Sequence, residues 1–319
     1  MTIQILILLA GLLFIVKGAD YLVEGASAIA RKAGVSDFVI GLTIVGFGTS
    51  CPELVVSLTG AFAGNSDISI GNVVGSNIFN SLLILGLTAI VAPIAITREN
   101  KRRDIPATIA VTALMIVLGM SVTLFGIGRA DGLSRIEGIV FLVLFAIYIY
   151  LCFKFDDKDG APLENSRPVK LGIAILMTLG GLAALVLGGH YFVDSATRIA
   201  RMLGVSDKFI AITILAGGTS LPELATCVVA AAKKKGQLAL GNILGSNIFN
   251  ILLILGCSAA VQPISFERMN LVDMGVLLLS ALLILMSAYT GKKDKLDRFD
   301  GSILLVCEAA YLVFLFMNL

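Results

Sequence analysis

Long apolar stretches separated by short polar segments make up most of this chain. A helix needs about 20 mostly apolar residues to cross the hydrocarbon core of a bilayer. Windows of that length predict ten membrane-spanning helices, spans 1–10, at residues 3–27, 37–62, 69–90, 105–126, 133–153, 170–195, 207–231, 238–260, 270–290 and 300–318. These runs are too long for the alternating strands of a membrane β-barrel. We therefore expect an all-α membrane protein.

The composition supports this expectation and adds an orientation. Of the 319 residues, 57% are hydrophobic and 14% are charged, and the mean hydropathy is +0.97, unlike a soluble globular domain. The loops after odd-numbered spans carry seventeen Lys and Arg residues, whereas those after even-numbered spans carry six. Because basic residues concentrate in cytoplasmic loops, we expect a multi-pass protein of the cell (inner) membrane with both termini outside the cytoplasm.

Two polar motifs occur twice in this apolar chain, each time 170 positions apart. The segment Gly-Thr-Ser-Cys-Pro-Glu at 48–53 returns with one change at 218–223. The segment Gly-Ser-Asn-Ile-Phe-Asn at 75–80 returns unchanged at 245–250. One offset shared by two separate motifs indicates an internal duplication of the kind found in many transporters.

The duplication divides the chain into two halves of five predicted spans each. We expect a first five-helix repeat at 1–153, a short cytoplasmic linker at 154–169 and a second five-helix repeat at 170–319. Because five is an odd number, the second repeat enters the membrane from the side opposite to the first, so the repeats are inverted. Secondary transporters of this architecture bind their substrates near the midplane, at the repeat interface.

Both repeats place oxygen-bearing groups inside apolar spans. The candidate binding positions are Gly46, Thr49, Ser50, Glu53, Ser76 and Asn80 in the first repeat and Ala216, Thr219, Ser220, Glu223, Ser246 and Asn250 in the second. Spacings of three and four residues put the members of each motif on one helical face. The proline before each glutamate predicts a kink, because proline removes a hydrogen bond from a helix interior.

Glu53 and Glu223 are the strongest of these candidates. An unpaired carboxylate near the middle of a bilayer costs at least ~2.5–3.5 kcal/mol, and no Lys or Arg lies mid-span in their helices to neutralise them. The other donors are hydroxyl, carboxamide and carbonyl oxygens, with no His or Cys at these positions. This donor set favours hard cations such as calcium and sodium over zinc or copper. For any single Ser or Thr among them, helix packing explains the residue as well as ion binding does.

Other polar residues have simpler interpretations. His190 and Asp194 align with Asp20 and Glu24, and we interpret all four as solvated helix ends, with a gating role as the alternative. The run Lys233–Lys235 is interpreted as a topology anchor. Asn72 and Asn242 either bind within the glycine-rich turns or cap helices. No P-loop, dinucleotide-binding, HExxH or GxSxG motif is present, so we expect neither enzymatic activity nor a nucleic-acid partner.

At its repeated motifs the chain resembles the calcium/cation antiporter superfamily, specifically the prokaryotic sodium/calcium exchangers. GTSxPE on spans 2 and 7 and GNxxGSNxxN on spans 3 and 8 carry the resemblance, which covers nearly the whole chain. It implies exchange of calcium for sodium by alternating access, with spans 1 and 6 sliding across a rigid core. It also implies that the twelve candidate positions hold the ions, Gly46 and Ala216 through their carbonyls, with no cofactor besides the transported ions.

Two alternatives remain open at this stage. The first is an antiporter that couples calcium to protons or potassium instead of sodium. The second is a cation channel, since channels also line pores with carboxylates and carbonyls. A channel commonly repeats its filter around an oligomer, whereas here a single chain supplies both halves of the site, so an oligomer is not required.

Overall fold

The computed structural model describes residues 1–128, 130–156, 169–204, 217–266, 269–290 and 294–317, and nearly all of them are helical. In chain order the helices are α1 (Thr2–Ala33), α2 (Asp37–Thr49), α3 (Cys51–Phe62), α4 (Ser66–Val91), α5 (Ile105–Gly119), α6 (Ser121–Phe125), α7 (Arg135–Lys154), α8 (Leu171–Met202), α9 (Leu221–Ala232), α10 (Gly236–Val261), α11 (Leu271–Thr290) and α12 (Arg298–Met317). A π-helical turn at Asn100–Asp104 leads directly into α5. The strands are β1 (Ile94–Ala95), β2 (Gly132–Leu133), β3 (Ile264–Ser265) and β4 (Lys295–Leu296).

The helices are long and apolar enough for a membrane protein. Within the described ranges, seven of them satisfy the length and hydropathy of a membrane span, and the bent pair of α2 and α3 makes an eighth candidate. The chain is therefore an all-helical, multi-pass membrane protein. Predicted span 7 is described only from residue 217 onward; its first part, at 207–216, lies outside the described residues.

The segment predicted as span 4, 105–126, is helical almost to its predicted end but is interrupted at Met120. α5 ends at Gly119 because Met120 leaves the helical conformation with φ −116° and ψ 34°, and the short α6 follows. The carbonyl of Ile116 accepts the amide of Met120 at 2.9 Å, which closes the last turn. Hydropathy does not detect this break, because the residues on both sides of it are apolar.

α1 also runs farther than its apolar window, which stops at residue 27. It continues to Ala33 and ends at Gly34, whose φ of 66° and ψ of 32° form a left-handed cap with its amide bonded to the Ala30 carbonyl. Glycine adopts this conformation without steric cost and commonly ends helices in this way. The apolar window stops early because Arg31 and Lys32 lower the mean hydropathy of the last turns, although the residues around them are apolar.

α4 and α10 form the centre of the molecule. In their most apolar windows 72% of α4 and 94% of α10 are buried inside the protein, against 22% of α1 and 28% of α8. Both central helices contain π-helical turns, at Asn80–Ile84 and Phe249–Leu255. Such turns are frequent at functional sites because they change the direction of neighbouring side chains.

α1 and α8 lie antiparallel with their backbones almost touching. A Cβ atom at Gly18 would lie 2.8 Å from the carbonyl oxygen of Gly181, and one at Gly11 would lie 2.9 Å from that of Gly188. Side chains larger than hydrogen do not fit at such distances, so glycine spaced every seven residues lets the helices approach. This pair packs against α9 through α1.

The four strands join loops that are distant in sequence. β1 pairs antiparallel with β4, and β2 pairs antiparallel with β3. With the 170-residue offset, β1 and β3 occupy equivalent places in the two repeats. The apolar windows did not predict these strands because each contains only two residues.

Candidate cation-binding site

Both repeated proline motifs interrupt a helix at a serine. α2 and α3 meet at a bend of 48°, with Ser50 at the junction. Ser50 has φ −83° and ψ 5°, and Ser220, just before α9, has φ −87° and ψ 6°. Pro52 and Pro222 then occupy the first turns of α3 and α9, where the missing amide hydrogen costs little. The kink predicted at the first motif is therefore present, and the second serine has the same conformation.

The two motifs meet through crossed hydrogen bonds between the repeats. Ser50 Oγ donates to Glu223 Oε1 at 3.0 Å, and Ser220 Oγ donates to Glu53 Oε1 at 3.1 Å. Each serine therefore binds the glutamate of the other repeat. Both glutamates are buried, with 1% of their surface exposed. Two carboxylates placed 170 residues apart in sequence thus belong to one buried cluster.

The serines of α4 and α10 complete the same cluster. Ser50 Oγ and Ser246 Oγ are 3.0 Å apart, and Ser220 Oγ and Ser76 Oγ are 3.5 Å apart. Asn80 follows Ser76 by one helical turn on α4, as Asn250 follows Ser246 on α10. All of these side chains are buried. The structure therefore brings the predicted serines together with both glutamates.

Four buried oxygens of this region have no hydrogen-bond partner. They are Oε2 of Glu53, Oε2 of Glu223, Oδ1 of Asn80 and Oδ1 of Asn250. Burial of an unpaired polar atom costs roughly 1–3 kcal/mol, and more for a charged group. The four form two pairs at the 170-residue offset, so the same need arises in both repeats. Each of them is an electron-pair donor and therefore suits a cation as its missing partner.

The threonines and the glycine lie at the edge of this cluster. Thr49 Oγ1 lies 3.1 Å from the Val45 carbonyl oxygen and 3.2 Å from Asn242 Oδ1, each within hydrogen-bond reach of its hydroxyl. Thr219 directly precedes Ser220 in the second motif. The Gly46 carbonyl accepts the Ser50 amide at 3.1 Å. Ala216, the predicted counterpart of Gly46, lies outside the described residues.

The charge of the site comes from the two glutamates. Among the residues that the structure describes, no group of three or more His, Cys, Asp or Glu side chains is arranged to hold a metal. With both glutamates ionised, the cluster carries two negative charges and otherwise neutral oxygen donors. Such a site matches one divalent hard cation, or monovalent cations sharing the same ligands.

Comparison with known protein families identifies the chain. The family described as "Sodium/calcium exchanger protein" matches residues 3–154 and 173–318. The chain belongs to the sodium/calcium exchanger family. The exchangers' pattern therefore covers both halves of this chain, including the two motifs that form the cluster.

Similar proteins in this family span the whole chain. The "Putative antiporter CaxA" of Alkalimonas amylolytica is 38% identical over 329 residues, covering 100% of both chains. The "Sodium/calcium exchanger MaX1" of Methanosarcina acetivorans is 37% identical over 349 residues, covering 99% of both. Solved structures of the sodium-calcium exchanger NCX_Mj superimpose with a TM-score of 0.84 at 33% identity, covering 98% of both chains.

Sequence reasoning did not predict that four asparagines hold helices together around this cluster. Asn77 and Asn247, each 2% exposed, hydrogen-bond across the contact between α4 and α10. Asn72 Nδ2 ties α4 to α3 through the Glu53 carbonyl at 3.1 Å, and Asn242 Nδ2 ties α10 to α9 through Cys227 Sγ at 3.2 Å. Asn72 and Asn242 therefore brace helices and do not cap them. The signal was their exact repetition in GNxxGSNxxN.

Proposed function

We propose that this protein is a secondary transporter that exchanges calcium for sodium across the cell membrane by alternating access. One observation carries the proposal: two buried glutamates from opposite repeats share a cluster in which four oxygens lack partners. Uncompensated carboxylates inside a membrane mark ion pathways. The proposed ligands are Glu53, Glu223, Thr49, Ser50, Thr219, Ser220, Ser76, Asn80, Ser246 and Asn250, with the carbonyls of Gly46 and Ala216.

Exchange follows from competition for the same carboxylates. One calcium ion neutralises both glutamates, and sodium ions that use these ligands cannot be fully bound at the same time. The transporter therefore changes sides only after one ion type has replaced the other. If more than two sodium ions move for each calcium, every cycle transfers net charge, and each charge is worth ~2.3 kcal/mol per 100 mV of membrane potential. An inward sodium gradient would then export calcium.

Contacts between loops support a ten-span chain with inverted repeats at 1–153 and 170–319. β1 and β4 follow predicted spans 3 and 9, and β2 and β3 follow spans 4 and 8, so pairing joins odd with odd and even with even. Lys233, after span 7, likewise pairs with Asp20 near the end of span 1. In a chain of ten spans, both members of each of these pairs would lie on the same side of the membrane. The proposed orientation has odd loops and the 154–169 linker in the cytoplasm, and both termini outside.

The relatives also favour transport over catalysis. They are named exchangers and antiporters, and the oxygen donors of the buried cluster form a set that suits hard cations. We infer no enzymatic activity and no cofactor beyond the transported ions. Because one chain supplies both glutamates, an oligomer is not needed to complete the site.

A comparison of driving ions tests the proposal. Purified protein in sodium-loaded proteoliposomes is expected to take up radioactive calcium, and replacing internal sodium by potassium or choline should reduce uptake to the level of empty liposomes. Uptake with internal potassium alone, or driven by a pH gradient without sodium, would instead support potassium or proton coupling. Calcium currents that need no cation on the opposite side would support a channel.

A further inference from the structure

Two asparagines at the crossing of α4 and α10 hold the amides of two predicted ligands. Asn77 Oδ1 accepts from Asn250 Nδ2 at 2.9 Å, and Asn247 Oδ1 accepts from Asn80 Nδ2 at 3.2 Å. Each bond joins one repeat to the other. In both cases the amide nitrogen is engaged, whereas the amide oxygen, Oδ1 of Asn80 or Asn250, is buried without a partner.

The direction of a carboxamide matters for a cation. Its oxygen carries lone pairs and attracts a cation. Its NH2 group carries partial positive charge on the hydrogens and repels a cation. The two ends have nearly the same size, so packing alone does not select between orientations 180° apart. A hydrogen bond to the nitrogen does select, because only one orientation satisfies it.

We propose that Asn77 and Asn247 are positioning residues that turn the amide oxygens of Asn250 and Asn80 toward the transported cation. Each is itself fixed: Asn77 Nδ2 donates to the Asn247 carbonyl at 3.1 Å, and Asn247 Nδ2 donates to Ser81 Oγ at 2.9 Å. Neither needs to contact the ion. The proposal rests on the proposed function, because it assigns a role within the same cation site.

A double-mutant cycle tests the role of Asn77, with equilibrium binding of radioactive calcium to the purified protein as the readout. Asn77→Leu removes the acceptor and is expected to weaken binding about 10- to 100-fold, the usual effect of losing a group that orients a metal ligand. In an Asn250→Asp background the same change should have little effect, because a carboxylate presents an oxygen at both ends. Asn247→Leu against Asn80→Asp gives the reciprocal cycle.

Each outcome decides the point. A merely structural role predicts the same loss in both backgrounds, since independent effects add, and that result would overturn the proposal. Loss of calcium binding in the Asn250→Asp single variant would also overturn the proposal. Thr88→Ala is the matched control: it removes a buried hydroxyl of the same helix, α4, that donates to the Ile84 carbonyl two turns after Asn80 and bonds neither asparagine pair, so binding should be nearly unchanged. If the wild type binds no calcium, the proposed function fails instead.

A separate observation concerns the cytoplasmic end of α1. Lys233, in the turn after α9, forms ion pairs with Asp20 and with Glu24, the latter at 2.7 Å. Burial lowers the pKa of Lys233, but its hydrogen bonds to these two carboxylates outweigh that effect and raise the pKa above its ordinary value. Lys235 Nζ also reaches the Val23 carbonyl, at 3.5 Å. The interpretation of Lys233 as a topology anchor alone is therefore incomplete.

Among the described residues, the equivalent place in the other repeat shows no such pair between helices. With the 170-residue offset, Asp20 and Glu24 correspond to His190 and Asp194, while Lys233 corresponds to Ala63. Asp194 instead accepts from Arg198 of its own helix, at 2.9 Å. The helix packing differs between the repeats in the same direction. α1 packs along α9, whereas the equivalent pair, α8 and α3, is scarcely in contact.

Inverted repeats exchange their conformations when a transporter changes sides, so a contact present on one side only must bias that equilibrium. We infer that the pairing of Lys233 with Asp20 and Glu24 is a latch that holds the cytoplasmic side closed and favours the outward-open state. This inference rests on the proposed alternating access. It concerns the balance between the two states and leaves the ion site untouched.

Hydrogen–deuterium exchange of the reconstituted protein tests the latch. Lys233→Gln is expected to raise exchange in peptides covering 20–36 and 231–237 and to lower it in peptides covering 60–66 and 196–204, as the population shifts about two- to tenfold toward the inward-open state. Lys234→Gln removes the same charge from a neighbouring exposed side chain and should change neither. Ala63→Lys places a lysine at the position equivalent to Lys233 in the other repeat and should shift exchange in the opposite direction.

A local effect is distinguishable from a change of state. Faster exchange only at the cytoplasmic peptides, without added protection on the outer side, would reduce Lys233 to a local tether and overturn the inference. An equal response to Lys234→Gln would do so too. The readout does not depend on which ion drives transport, so a failed uptake assay would count against the proposed function and not against the latch.

Discussion

Glu53→Gln and Glu223→Gln are each expected to abolish calcium binding and calcium–sodium exchange. Glutamine keeps the shape of glutamate but removes one of the two negative charges that we assign to the site. Each carboxylate is 1% exposed, so water does not replace the lost charge. Removing one member of a buried charge pair costs about 2–5 kcal/mol, which lowers affinity by a factor of roughly 30 to several thousand. Calcium binding and sodium-driven uptake in proteoliposomes measure both effects.

Glu308 is the matched control for this prediction. It is also a buried glutamate in a long helix, α12, with 3% of its surface exposed, but it lies outside the repeated motifs. Glu308→Gln should therefore preserve calcium binding. Normal exchange in either Glu53→Gln or Glu223→Gln would remove that residue from the site. Equal losses in all three variants would show that binding responds to buried glutamates in general.

Gly181→Leu is expected to prevent stable association of α1 with α8 and to eliminate transport. A Cβ atom at Gly181 would lie 2.6 Å from both the carbonyl oxygen of Gly18 and the amide nitrogen of Leu22. These are backbone atoms and cannot rotate away, so the helices would have to separate. Overpacking in a close-fitting interior typically costs about 1–3 kcal/mol, and separation adds the loss of the neighbouring contacts. Thermal stability of the detergent-purified protein and calcium uptake report the effect.

The adjacent residue provides the control. Gly180 is exposed, and a Cβ atom there would meet nothing within 4 Å. Gly180→Leu adds the same side chain to the same helix, pointing it toward lipid, and should leave stability and uptake close to wild type. If Gly181→Leu were as stable and active as Gly180→Leu, the close packing of α1 on α8 would not be a requirement of the transporter.

Much of the fold could be predicted from hydropathy because a membrane span is a property of consecutive residues. The windows located α4, α7, α10, α11 and α12 to within a few residues. They failed where the cause lies in backbone conformation: the break at Met120 and the end of α1 at Gly34 leave no hydropathy signal. The π-helical turns and the two-residue strands are also invisible to a 20-residue window.

Most residues of the buried cluster could also be predicted, but the sequence did not show which of them are proposed ligands and which hold those ligands in place. Ser76, Asn77 and Asn80 all stand in one motif, and Asn80 shares a helical face with residues both three and four positions earlier. Spacing therefore does not separate a ligand from its support. Ligand and supporting residue can be told apart only where α4 and α10 cross. There Asn77 accepts from the amide nitrogen of Asn250, and the amide oxygen of Asn250 has no partner.

The sequence by itself determined that the chain is a helical membrane protein, that two motifs repeat 170 residues apart and that oxygen donors with two glutamates accompany them. These properties are local, since each depends on neighbouring residues and on helical periodicity. Only the tertiary structure decided that Ser50 bonds Glu223 while Ser220 bonds Glu53, and which amide oxygens remain without a partner. It also decided that Lys233 pairs with Asp20 at one end of α1, with no equivalent pair among the described residues. Those contacts join helices distant in sequence, so they depend on how the helices cross, and no local pattern encodes that.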